Sequence, residues 1–130
     1  MSSGRKLLFV IFRTDFCAVR HIIWYADALR PKNEVAIILE GAATGLLNDP
    51  TFAKDFEKLA KEGVLRGACK AASNACCGTS CAKKEGEKTA AVAATEMGIP
   101  LLSGLNAGEA ACNHADITPF INDGWELTIV

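Results

Sequence analysis

Apolar residues run almost unbroken from 7 to 12 and from 35 to 39, and again within 64–69 and 99–102. A strand buried on both faces needs such continuity, because both alternating sets of its side chains meet other parts of the protein. The runs predict strands over residues 6–12, 34–39, 64–69 and 99–102, with a final strand at 125–130. Pro100 suits a strand start or an edge, since it has no N–H to give to a ladder.

Between these runs the spacing changes to that of a helix. Thr14 or Asp15 can cap a helix over 16–30, which Pro31 stops. Val19, Ile22, Ile23, Ala26 and Leu29 form the stripe that should face the sheet, while His21, Trp24, Tyr25 and Ala28 form a second, aromatic face suited to a subunit contact. Gly41 to Gly45 leads into a short helical turn. A helix over 51–61 buries Phe52, Phe56, Leu59 and Ala60 and presents Lys54, Asp55, Glu57 and Lys58 to solvent, with Gly63 as its terminating residue. Residues 83–97 are alanine-rich and predict a further helix ended by Gly98. Asn106 followed by Glu109 resembles a capping box and predicts a short helix there. Thr118-Pro119 starts another, which Gly124 ends. Strands alternating with helices imply a single α/β domain over 1–130, a three-layer α/β/α sandwich around a mainly parallel five-stranded sheet.

Composition narrows the functional classes. Half of the 130 residues are apolar, enough for a core without cross-links. A net charge of −1 gives no pull toward nucleic acid or an anionic membrane. The first apolar run is too short for a signal peptide or a membrane span, so a cytoplasmic location is expected. Thiols there stay reduced, and a cysteine cluster points to catalysis or metal before disulfides. There is no G-x-G-x-x-G, Walker A or G-x-S-x-G sequence.

The chain has six cysteines, four of them between Cys69 and Cys81. Cys69 closes the third predicted strand. Open α/β sheets react at the carboxyl ends of their strands, and a thiol there, followed by Lys70 and small residues, is the leading nucleophile, with Lys70 favouring the thiolate. Cys17 follows the first strand, four residues before His21, in the first turns of a helix. The ends of the first and third strands share one rim, so Cys17 is expected to approach Cys69, and either Cys17 or a cysteine of the 76–81 loop to resolve intermediates formed on it. Cys76, Cys77 and Cys81 follow neither a zinc-finger nor a ferredoxin spacing; a mobile loop with redox-active thiols is expected, and zinc or an iron–sulfur cluster held by these cysteines is the alternative. Cys112 and His114 fall at the end of the short helix predicted after the fourth strand. Two residues apart, they would occupy different helix faces; solvent-facing or packing roles are expected, with a metal or acid/base role as the alternative.

Four segments carry a resemblance: Leu8-Phe9-Val10-Ile11-Phe12-Arg13-Thr14-Asp15-Phe16-Cys17, Glu34-Val35-Ala36-Ile37-Ile38-Leu39-Glu40-Gly41, Gly67-Ala68-Cys69-Lys70-Ala71, and the last strand at 125–130. Together they resemble the DsrE/DsrF-like family, small α/β proteins of bacterial sulfur metabolism. The resemblance implies that Cys69 carries persulfide sulfur, that sulfur donor and acceptor proteins are the partners, and that the protein assembles as a trimer or hexamer. No cofactor is then required. The cysteines at 76–81 depart from a one-cysteine pattern. The expectation is therefore a sulfur-transfer or thiol-redox protein, and the alternatives are a metal- or cluster-binding module and a non-catalytic oligomeric subunit.

Overall fold

A computed structural model describes residues 4–73, 89–107 and 112–130. Five strands form one all-parallel sheet: β1 (Lys6–Ile11), β2 (Glu34–Leu39), β3 (Leu65–Cys69), β4 (Leu101–Leu102) and β7 (Glu126–Ile129), in the spatial order β4-β3-β2-β1-β7. Helices α1 (Phe16–Leu29), α2 (Ala53–Lys61) and α4 (Ala90–Glu96) lie between successive strands, and a 3-10 segment, Gly41–Asn48, precedes α2. A single turn, α3 (Lys70–Ser73), leaves β3 directly, and α5 (Thr118–Asn122) precedes β7. The architecture is the expected three-layer α/β/α sandwich.

The strand order explains where the helices sit. From β1 to β4 every step moves in the same direction across the sheet. Right-handed crossovers then place all the connecting helices on one face. That face holds the larger core: Phe9, Ile11, Val35, Ile37, Leu39 and Leu65 from the strands meet Val19, Ile22, Ile23 and Ala26 of α1, Phe56 and Leu59 of α2, Ala93 and Ala94 of α4, and Leu46 and Leu47 of the 3-10 segment. Asp15 caps α1, its carboxylate accepting the Ala18 N–H. The Arg20 guanidinium lies over the neighbouring rings of Phe16 and Phe52, 5.4 and 4.9 Å from their centroids, and pairs with Asp55 at 2.9 Å, tying α1 to α2.

To reach β7 from β4 the chain must return across the other face. It does so with strands β5 (Gly104–Ala107) and β6 (Cys112–Ala115), which pair only with each other, antiparallel, and then with α5. Where the short helix is expected after Asn106, this pair occupies 104–107 and 112–115, and Glu109 of the expected capping box lies outside the described residues. Neither segment contains a β-branched residue, so the usual strand signal is missing, and context overrides the helix-like composition. On this face Leu8, Val10, Ala36 and Ile38 pack with Trp125, Ile117 and Phe120, and Arg66 lies over the Trp125 ring at 4.8 Å. Of the helix expected over 83–97, α4 is the described part; residues 83–88 lie outside the described residues.

Candidate functional site around Cys69

Cys69 ends β3 and pairs in register with Leu102 of β4. Its neighbour Ala68 belongs to the core beneath α1 and α2, whereas Cys69 clusters with Leu102, Ala71, Ala72 and Ala115. The thiol thus faces the second, thinly covered side. Glu40 arrives on that side by the same alternation: it lies two residues after Ile38, which also faces that way. The Glu40 N–H donates to Ile11 O at 2.9 Å, and its carboxylate accepts the Gly41 N–H at 3.0 Å. Gly41 turns the chain with φ of 52°, and a Cβ there would meet the Phe12 ring at 3.1 Å. Glycine suits both the left-handed angle and the close ring.

His114 reaches Cys69 from β6, which packs on β3 and α3. The Cys69 Sγ lies 3.9 Å from His114 Nδ1, long for a sulfur hydrogen bond, and accepts the Ala115 N–H at 3.4 Å. The Ala72 N–H, in the turn that follows Cys69, favours the thiol's anion, and the Glu40 side chain disfavours it. Four polar groups from three parts of the chain, the end of β2, the turn after β3 and strand β6, therefore act on one sulfur.

Cys69 is fully buried, at 0% exposure, against the expectation of an accessible strand-end thiol. The small residues after it pack tightly over it: Ala71, Ala72 and Ser73 are buried as well. Burial pushes the thiol above its ordinary value. The N–H groups of Ala72 and Ala115 oppose this, and the hydrogen bond and charge of Glu40 reinforce it. The resting sulfur is accordingly a neutral thiol with donors already aimed at any negative charge it acquires.

Lys70 is exposed. The Cys69 thiol takes its anion-stabilising hydrogen bonds from the backbone of Ala72 and Ala115. Cys17 is exposed and free, and the sheet does not bring it beside Cys69. Strand β2 lies between β1 and β3, so their ends are separated by two strand spacings, about 10 Å, and Cys17 sits in the helix beyond the loop. The His21 Nδ1 is 2.7 Å from the Cys17 carbonyl oxygen and so serves the α1 backbone. Cys76, Cys77 and Cys81 lie outside the described residues. Among the described residues, no three His, Cys, Asp or Glu side chains are grouped to hold a metal ion.

A reading of the sequence does not place two members of the site. Glu40 looks like an ordinary loop acid, although an acid directly after an all-apolar parallel strand sits on the reactive rim and could have been picked out on that ground. His114 has an acid/base role among its sequence alternatives, but on a helix; its place in a strand beside a partner 45 residues away carries no local signal. Comparisons with protein-family models, with curated proteins and with solved structures return no significant match.

Proposed function

We propose that the protein transfers sulfur on Cys69, holding it as a persulfide. The observation that carries this reading is the placement of the Cys69 Sγ at the carboxyl rim of a parallel sheet with two backbone N–H donors directed at it. Such donors stabilise a sulfur anion, whether thiolate or persulfide, without a metal. The resemblance of Gly67-Ala68-Cys69-Lys70-Ala71 to the sulfur-relay proteins of the DsrE/DsrF-like family points the same way. The partners are then a sulfur donor and a thiol acceptor in the cytoplasm. A second copy of the chain would cover the His21, Trp24 and Tyr25 face, where Trp24 and Tyr25 are 55% and 54% exposed; light scattering tests that assembly.

The test of the function is direct. Reduced protein is incubated with inorganic polysulfide, freed of excess reagent, and mapped by peptide mass spectrometry. The Cys69 peptide should gain one sulfur atom and lose it to an added thiol, and Cys69→Ser should abolish the gain. Sulfur found only on Cys17 or on the cysteines at 76–81 would replace this reading.

A further inference from the structure

The reading of Cys69 as a sulfur carrier leaves a proton unaccounted for. The thiol is neutral at rest and must lose its proton to attack, and it is sealed from water. The base must therefore be inside the site. Among the described side chains, the titratable groups that face Cys69 from the surrounding elements are Glu40, at the end of β2, and His114, in β6. Lys70, next in the chain, is exposed. Strand β4 offers only Leu101 and Leu102, and the 3-10 segment has no ionisable residue.

We propose that His114 is the acid–base group of this site: its Nδ1, 3.9 Å from the sulfur, takes the Cys69 proton as the sulfur attacks and returns it to the departing thiol. This deepens the sulfur-carrier reading and rests on it for the identity of the reaction. The step balances. Cys69 gives its proton to His114 and attacks the outer sulfur of a persulfide R–S–SH. The new sulfur–sulfur bond forms as the bond between R–S and that sulfur breaks. The R–S anion leaves and takes the proton from His114. The products are the Cys69 persulfide and R–SH, with no net oxidation. The Ala72 and Ala115 N–H groups hold the charge on Cys69 while the proton is away.

Glu40 and His114 have opposed effects. A carboxylate beside the sulfur disfavours the anion, and an imidazole that can accept the proton turns it into an ion pair. The pair explains how a buried thiol can be quiet without a substrate and still ionise when one arrives.

Two measurements test the proposal, and neither uses a sulfur donor, so their failure is separable from failure of the carrier reading. The first is the pH dependence of iodoacetamide labelling at Cys69, followed by peptide mapping in wild-type, His114→Asn and Glu40→Gln proteins. Both the shape of each profile and its rate at neutral pH are compared. The wild-type and His114→Asn profiles should differ in shape, and the His114→Asn protein should label about tenfold or more slowly at neutral pH, a modest share of what a positioned acid–base group provides. Glu40→Gln should move its profile toward lower pH. Profiles of the same shape in wild-type and His114→Asn would reduce His114 to packing. The second measurement leaves His114 in place: its imidazole NMR titration is compared in wild-type and Cys69→Ser. Coupled sites shift each other reciprocally, so the midpoints should differ. Coincident midpoints would overturn the proposal.

Discussion

The two faces of the sheet are built differently. One is covered by α1, α2, α4 and the 3-10 segment, with Phe56, Leu59, Ile37 and Leu39 almost wholly enclosed. Among the described residues, the other carries the five-residue α5 and the β5–β6 pair, and at its margin Ile129 is still 62% exposed. Cys69, Glu40 and His114 gather on the thin side. The contrast shows a division of labour: the thick face stabilises the fold, and the thin face holds reactive groups beneath a cover that contributes little to the main core.

The strongest way to break this contrast is to damage the thick face. Phe56→Ala should cost about 3–5 kcal/mol, read by urea denaturation. Its effect on Cys69 should come only through global unfolding. On the thin face, Gly67→Ala should cost less, about 1–3 kcal/mol, because a Cβ there would approach Leu102 Cγ to 2.4 Å and displace it. Leu102 also packs on Cys69, so iodoacetamide labelling of Cys69 under native conditions should speed up. An equal loss of stability with unchanged labelling would deny that Leu102 seals the site.

A smaller effect comes from pH. The folded Cys69 thiol is raised by burial first, so its contribution is fully present below the unfolded thiol value, about 8.5, and is lost as pH rises through the folded value. Stability should decline on the alkaline side, and Cys69→Ala should remove that component of the decline. At the acid end the sign reverses. Arg5 holds Glu126 below the ordinary carboxylate range, and Lys6 does the same to Asp123. What these pairs add is present above the unfolded carboxylate value and is lost as pH falls through the folded ones. Both join the start of β1 to the β7 region, so Glu126→Gln should loosen hydrogen-exchange protection in β7. The change should be the smallest of the set, since the pair is exposed and screened by salt.

The sequence displays the thick face plainly. Continuous runs such as Val35 to Leu39 mark strands buried on both sides, and the Val19, Ile22, Ile23, Ala26 stripe marks the covering helix. Cys69 could be located because it ends such a run. Its burial could not, since that depends on Leu102 and Ala115, contributed from far along the chain. The β5–β6 pair was hidden for a different reason. Its stability comes from partners and position, while its alanine, asparagine and glycine content has weak strand preference. The exposed Trp24 and Tyr25 fell where the helical period put them.

The sulfur environment joins residues 40, 69, 72, 114 and 115, with the His114 and Ala115 contacts spanning 45 and 46 positions of sequence. Contacts of such separation form late relative to local ones. A chain that has formed β1 to β3 but not yet laid β6 across them would carry an ordinary, accessible thiol at Cys69. The quiet thiol is thus a property of completed folding, and the rate at which Cys69 loses its reactivity during refolding is a built-in clock for the last step of assembly.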